Sequence, residues 1–324
     1  MPTVSVGVPV FNGEKTILRC LKGLHDQTIQ PYEVIILDNC SSDRTAEICL
    51  DFVKDHPNFR YSRNENNIGG AENMNRALAS ATGDFFMWAA HDDFHDPAFI
   101  NTCVNIMSSH PSAVLCNTGM NVCVDTTNDI SFKITMKTFR SQMSRVNRFK
   151  EVFLRYPSPS FYGLYRTKVI RCIKPIQPIL GAEMSWALEL SLQGEFVSCD
   201  SFLFYYINSL TQKNDYESLG GVKTKVATRF LNYSSRYTRY FGIVSGSELR
   251  LREKVSLYLF LFGRAVIENT MRAFFTLLIS LPKGQAQLAT FLAKKFLVNP
   301  NYLIDNLGKF EMREIPRILD RWKF

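Results

Sequence analysis

The sequence predicts an α/β fold, a mostly parallel sheet flanked by helices, followed by a helical C-terminal extension. Three observations point there. Strand-like and helix-like stretches alternate four times in the first ninety residues, the pattern of a parallel sheet with right-handed crossovers. The strand stretches are short apolar runs bounded by turn residues. Polar residues, namely Asn12, Asp38, Asn39, Asn67, Asp92 and Asp93, collect at the strand ends, where this architecture gathers them along one crevice.

Residues 3–10 place valines at 4, 6, 8 and 10 and stop at Phe11-Asn12-Gly13, a first strand with its terminal loop. Residues 14–27 carry apolar side chains at 17, 18, 21 and 24, a helical spacing. Glu33-Val34-Ile35-Ile36-Leu37 is a second strand closing on Asp38-Asn39. Ser41-Ser42-Asp43 then offers N-cap residues to a helix through Ala46, Ile48 and Phe52. A short strand over 59–61 leads to Asn64-Glu65-Asn66-Asn67-Ile68-Gly69-Gly70, a helix over 71–80, and a central buried strand over 85–90. Beyond Asp93 the alternation fades. Strands are predicted over 113–117, 121–124 and 161–166, with edge strands over 195–199 and 202–207. Residues 126–160 read as a polar loop with a short helix at 145–154, and 182–192 as a helix. Past Gly220-Gly221 the chain turns basic and aromatic, and residues 222–324 read as amphipathic helices. The apolar runs at 258–262 and 274–281 fall short of the roughly 20 residues that span a bilayer. The chain thus divides into residues 1–220 and 221–324.

With 46% hydrophobic and 13% aromatic residues in 324, the chain has ample material for a core, which excludes a disordered protein. The net charge of +8 is unevenly placed. Residues 221–324 hold 18 Lys+Arg against 7 Asp+Glu, a surplus of +11, and residues 1–220 carry −3. Eight cysteines include no Cys-x-x-Cys pair, which argues against a zinc site or a disulfide framework and fits a reducing cytosol. The N-terminus enters a strand at once, so no signal peptide is expected. No Gly-x-Gly-x-x-Gly follows the first strand and there is no Walker lysine motif, which disfavours dinucleotide and P-loop folds.

The buried run at 85–90 ends in Asp92-Asp93, with Pro97 placed to sit in the first turn of the next helix. Two carboxylates there are costly unless something positive joins them. Two hard oxygen ligands beside a phosphate-bearing substrate suit Mg2+ or Mn2+. Taken alone, the pair reads equally well as a solvated turn or a helix cap. His91-Asp92 and His95-Asp96 imitate a metal site without further ligands, and His95 and Asp96 are expected in a loop.

The ordered set of motifs over residues 3–210 resembles the inverting family 2 glycosyltransferases with the GT-A fold. Val4-Ser5-Val6-Gly7-Val8-Pro9-Val10-Phe11-Asn12 is similar to the family's opening strand, and Leu37-Asp38-Asn39-Cys40-Ser41-Ser42-Asp43-Arg44-Thr45 to its nucleotide-side loop. Residues 64–75 resemble the Asn-rich segment before the acidic motif. Trp88-Ala89-Ala90-His91-Asp92-Asp93 looks like one branch's variant of the Asp-x-Asp motif, and Tyr162-Gly163-Leu164-Tyr165-Arg166 resembles its acceptor-side stretch. The resemblance implies a nucleotide diphosphate-sugar donor, UDP-sugars first, lying across the ends of the first strands. Asp92 would lie toward the ribose and Asp93 would hold Mg2+ or Mn2+. Asp38, Asn39 and Asn67 belong to the donor side, with Pro9 and Phe11 on the same wall, although the last two read equally as core. Asn39 stands where the family often has an Asp that pairs with uracil; an amide both donates and accepts, which leaves the base open. Glu183, at the family's usual acid position, would be the general base, with Glu189 its competitor and a helix N-terminal acid the alternative. The matching stretch Tyr205-Tyr206-Ile207-Asn208-Ser209 lacks the His common after that turn.

The implied activity is metal-dependent transfer of a sugar, with inversion, to a glycan or lipid-linked saccharide in polysaccharide biosynthesis. The expected location is the cytoplasm. The basic C-terminal region would meet an anionic membrane face, or else pack on the first domain or form a dimer. Two alternatives are weighed against this. A nucleotidyltransferase usually has a Gly-rich basic loop after its first strand, which Phe11-Asn12-Gly13-Glu14 is not. A nucleic-acid-binding module would use the basic region, yet no RNP, KH or zinc-finger pattern occurs, so no nucleic-acid partner is expected.

Overall fold

The computed structural model describes residues 2–139, 143–156, 158–178, 182–208 and 226–280. The chain begins as β1 (Val4–Val10), α1 (Ile17–His25), β2 (Glu33–Asp38), α2 (Thr45–Lys54), β3 (Phe59–Arg63), α3 (Gly70–Ser80) and β4 (Phe85–Trp88). It continues through β5 (Phe94–His95), α4 (Phe99–Ser109), β6 (Ala113–Val124), β7 (Ile130–Ile134), α5 (Arg145–Arg155), β8 (Leu164–Arg166), α6 (Thr167–Ile170), α7 (Ala182–Ser191) and β9 (Glu195–Asn208). Helices α8 (Val226–Gly246) and α9 (Leu251–Ser280) follow.

The strands form one sheet in the order β3-β2-β1-β4-β8-β6-β9-β5, with β7 alongside β6. Strands β1 to β4 are mutually parallel, as the alternation of elements predicts. The later strands mix directions: β8 runs antiparallel to β4 and β6, whereas β6 and β9 are parallel. The period-2 pleat divides β4 between two cores. Phe85 and Met87 join the valines of β1, Leu21 and Leu24 of α1, and Phe99 and Met107 of α4. Phe86 and Trp88 point the other way. There Trp88 stacks on Phe161 at 4.7 Å and meets Trp186 of α7 edge-on at 5.1 Å, while its ring N–H donates to the Met74 carbonyl of α3 at 3.0 Å. Such offset aromatic pairs add about 0.5–1.5 kcal/mol each beyond their burial.

Several elements differ from the sequence reading. The two short strands expected at 113–124 are one strand, β6. The two expected edge strands are one strand, β9, which lies inside the sheet between β6 and β5. The polar step Cys199-Asp200-Ser201, which looks like a break, is absorbed as an irregularity: Asn117 pairs with Ser198 and Gly119 already with Phe202. Within the expected loop, β7 pairs with β6. Residues 158–162 form a 3-10 turn and not a strand, leaving β8 only three residues. Gly163 lies where a side chain would run into the Cys116 carbonyl, and the Tyr165 hydroxyl donates back to the Phe161 carbonyl at 2.5 Å. His95, expected in a loop, is in β5 opposite Phe204 of β9.

The chain divides into two compact units, 1–261 and 262–324, so that α8 and the start of α9 fall in the first. In that unit Leu257 and Leu261 of α9 are fully buried. Among the described residues no helix is long and apolar enough to cross a membrane. Residues 209–225 and 281–324, which include Ser209, the Gly220-Gly221 boundary and the end of the apolar run at 274–281, lie outside the described residues.

Candidate active site

The loops after β1 and β2 are knitted together by backbone and small polar groups. The Asn39 N–H donates to the Val10 carbonyl at 2.8 Å, the Asn12 N–H to Ser41 Oγ at 2.9 Å, and the Gly13 N–H to Thr45 Oγ1 at 2.8 Å. Asn12 accepts the Ser42 N–H in return, from a left-handed backbone with φ of 50°, which asparagine tolerates better than most residues. Pro9 and Phe11, both half-buried, stand on this wall.

Asp38 is fully buried and its oxygens are engaged internally. Oδ1 accepts the Ser41 N–H at 2.8 Å and Oδ2 the Tyr61 hydroxyl at 2.7 Å, with Arg63 4.0 Å away. Burial, reinforced by Asp38, pushes the Tyr61 phenol well up. Asn39 is equally committed. Its Oδ1 accepts from Asn64 Nδ2 at 3.1 Å and the Ile68 N–H at 2.9 Å, and its Nδ2 donates to Asn67 Oδ1 at 2.8 Å. Asn67 itself is exposed and also accepts the Gly69 N–H. This network shapes the 64–70 loop, and Arg63, Asn64, Glu65, Asn66, Ile68 and Arg76 line a cavity of about 280 Å³ beside it.

Asp92 and Asp93 follow β4 at the carboxyl edge of the sheet, the edge that also carries Asp38 and Asn39. They do not cap the next helix: its N-cap is Ala98, whose N–H donates to Asp96 Oδ1 at 2.9 Å in the turn before α4. Asp92 is half-buried, and its carbonyl accepts a hydrogen bond from the Arg19 guanidinium of α1. Asp93 is buried, and its Oδ1 accepts the Ile207 N–H of β9 at 2.9 Å. Burial first, then the neighbouring Asp92 charge, push the Asp93 carboxyl well above the usual range. Arg19 offsets this only in part, and a carboxylate pair of this kind would suit a hard divalent cation. No group of three or more His, Cys, Asp or Glu is gathered for a metal among the described residues, so the remaining ligands would be phosphate oxygens and water. Nearby, His91 Nδ1 lies 2.8 Å from Thr16 Oγ1, and burial holds the imidazole below its ordinary pKa. His95 is enclosed by Phe99 and Phe204, and burial lowers it to about 3, so it is a neutral core residue.

Glu183 is exposed in the first turn of α7, a helix otherwise buried from Met184 to Leu188. The Trp186–Trp88 contact ties that helix to β4. Burial first, then the charges of Asp93, Asp92 and Glu183, push the Tyr162 phenol well up. Glu189, the other acid of α7, accepts the Lys174 N–H at 3.1 Å. Sequence reasoning gave no role to Tyr162, Arg19 or the Ile207 N–H. The first lay inside a quoted motif. The other two act on backbone atoms, for which residue type carries no signal.

A family model described as glycosyl transferase family 2 matches residues 5–172. The poly(ribitol-phosphate) beta-N-acetylglucosaminyltransferase TarS of Staphylococcus aureus is 32% identical over 118 residues, covering 36% of this chain and 20% of TarS. A GalNAc(5)-diNAcBac-PP-undecaprenol beta-1,3-glucosyltransferase of Campylobacter jejuni is 33% identical over 94 residues, 29% of this chain and 30% of that protein. The first curated relatives are matched over only 15–33% of their length. In fold, the chain resembles crystalline TarS 1–349 with UDP-GlcNAc, at a TM-score of 0.59 and 18% identity over 78% of this chain and 69% of that one. It also resembles the mannosyltransferase PcManGT of Pyrobaculum calidifontis in complex with GDP-Man and Mn2+, at 0.55 and 15% over 95% and 86%. The mixed sheet, the acid pair at its carboxyl edge and the family model agree: the chain belongs to glycosyl transferase family 2.

Proposed function

We propose that this chain transfers a sugar from a nucleotide diphosphate-sugar, a UDP-sugar first, to a hydroxyl of a glycan or lipid-linked saccharide, with inversion at the anomeric carbon. The observation that carries this reading is the Asp92-Asp93 pair at the carboxyl edge of the parallel strands, the edge that also carries the Asp38-Asn39 turn and the 64–70 loop with its cavity. The donor base lies toward the 64–70 loop, with Pro9, Phe11 and the Asp38–Asn39 turn forming its wall and Asn67 at the rim. Asp92 faces the ribose. Asp93 holds Mg2+ or Mn2+, which when bound neutralises charge developing on the leaving diphosphate. Glu183 takes the acceptor proton as the hydroxyl oxygen attacks from the face opposite the diphosphate, which inverts the centre. The names of TarS and of the Campylobacter protein, and the UDP-GlcNAc and GDP-Man complexes, support the donor class and a saccharide or polyol-phosphate acceptor.

A thermal-shift panel of UDP-, GDP- and dTDP-sugars, with and without Mn2+, tests the donor. A true donor at 100 times its Kd raises stability by about 2.7 kcal/mol. A flat response across the panel would break the reading.

We further propose that the C-terminal region seats the enzyme on the cytoplasmic, anionic membrane face. Leu251, Val255 and Leu259 of α9, at i, i+4 and i+8, are 76%, 45% and 70% exposed, and the region carries the +11 surplus. Each basic residue near an anionic leaflet contributes about 1 kcal/mol. The protein is expected to float with anionic vesicles at low salt; failure to float removes the proposal.

A further inference from the structure

A groove of about 420 Å³ runs along the outer face of α1, lined by Lys15, Leu18, Arg19, Lys22, Asp26 and Phe94. Arg19 and Lys22 fall at i and i+3 and so share one face of α1, and Lys15, in the turn before the helix, lines the same groove. Leu18, 41% exposed, and the Phe94 ring make an apolar floor. The floor closes because residue 23 is glycine: a Cβ there would sit 2.8 Å from the Phe94 ring. Three cations against the single carboxylate of Asp26 leave the groove positive. Among the described residues no ion pair engages Lys15, Arg19 or Lys22. Arg19 Nε is buried with no hydrogen-bond partner there. Three like charges lining one groove repel one another, and a bound anion would relieve that repulsion. The groove also adjoins the acidic tip: Arg19 is anchored to the Asp92 carbonyl, and Phe94 is two residues beyond it.

We infer that this groove binds a phosphate group of the acceptor, a phosphodiester or lipid-linked phosphate whose apolar part rests on Leu18 and Phe94. The arginine and lysine heads supply charge-assisted hydrogen bonds to phosphate oxygens. This rests on the transferase reading above, since it places the acceptor's anionic portion on the wall next to the reacting centre.

The test uses the full chain in EDTA, which suppresses metal-mediated binding at Asp93. Two probes share one head group: sn-glycerol 1-phosphate, followed by phosphorus NMR line broadening, and phosphatidylglycerol vesicles, followed by co-sedimentation. Lys15→Ser with Lys22→Ser should weaken binding at least tenfold, and Lys15→Arg with Lys22→Arg should retain it. Because α9 also carries an exposed apolar face, the vesicle arm is read as the difference between the serine and arginine variants. Loss in both arms assigns a soluble phosphate; loss with vesicles alone assigns a lipid head group. No binding by the unaltered chain, or equal binding by the serine variant, overturns the inference. The donor panel is read separately: a chain that ignores nucleotide-sugars yet binds phosphate here loses the transferase reading and keeps the groove.

Discussion

The sheet is built from two regions that come together in opposite ways. From β1 to β3 each strand is followed by a helix, β1 to β4 pair in parallel with one another, and the candidate residues Asp38, Asn39 and Asn67 lie at the end of β2 and in the loops after β2 and β3. From β5 to β9, pairing is long-range: Phe94 meets Tyr205, and β6 lies between β8 and β9. The first region offers a loop edge shaped by hydrogen bonds among asparagines. The second brings Glu183 into place by packing Trp186 on Trp88. The Ile207 N–H to Asp93 bond is where they meet. What the difference teaches is that the loop edge carrying Asp38, Asn39 and Asn67 is specified by local pairing, whereas the placement of α7 depends on strands distant in sequence.

The largest effect should come from breaking the junction. Asp93→Ala is expected to remove detectable transfer, since loss of the metal ligand forfeits several kcal/mol of charge stabilisation. It also leaves the buried Ile207 N–H without its acceptor, at about 1–3 kcal/mol of stability. Asp93→Asn keeps an oxygen for that N–H and should spare the fold while still losing activity. Transfer rates and urea midpoints on the two variants separate these contributions. Full activity in excess EDTA would sink the metal role of Asp93.

The same contrast explains what could be read in the sequence. Apolar runs and loop residues of β1 to β4 are local signals, so the strands of that half, their parallel pairing and the acid pair at its end were legible. The irregularity at Cys199-Asp200-Ser201 was not, because a polar step looks the same whether it ends a strand or bends one. Nor was β5: two residues carry no periodicity, and only the β9 backbone makes them a strand. At the candidate site, residue types singled out Asp93, and the family resemblance Glu183, but neither could reveal that Asp38 and Asn39 are consumed by internal hydrogen bonds. That depends on Tyr61, Asn64 and Ile68 arriving in the right geometry.

Glu183→Gln breaks the second region alone. The amide keeps the size and most hydrogen bonding of the side chain but cannot accept the acceptor's proton. Turnover should fall by roughly 10²–10⁴-fold. Donor binding should hold, because in this proposal Glu183 serves the acceptor hydroxyl and Asp93 the metal. Measuring both on one variant sharpens the division. Near-normal turnover would move the role to another acid, with Glu189 next in line. Loss of donor binding would place Glu183 in the nucleotide or metal shell.

The smallest effect belongs to the first region. Asn39→Ala deletes the acceptor for Asn64 Nδ2 and the Ile68 N–H and the donor to Asn67. Leaving buried polar groups unpaired costs about 1–3 kcal/mol. The urea midpoint should fall accordingly, and donor affinity should drop as the 64–70 loop loosens. Preference among UDP-, GDP- and dTDP-sugars should not change, because Asn39, only 2% exposed, presents its amide to the loop and not to a base. The discriminating measurement is the ratio of UDP-sugar to GDP-sugar affinity in the variant and the unaltered chain. A constant ratio with weaker binding assigns base selection to the loop that Asn39 holds. A shifted ratio would mean that Asn39 reads the base directly, and the donor side would then depend on one side chain rather than on the shape of the loop.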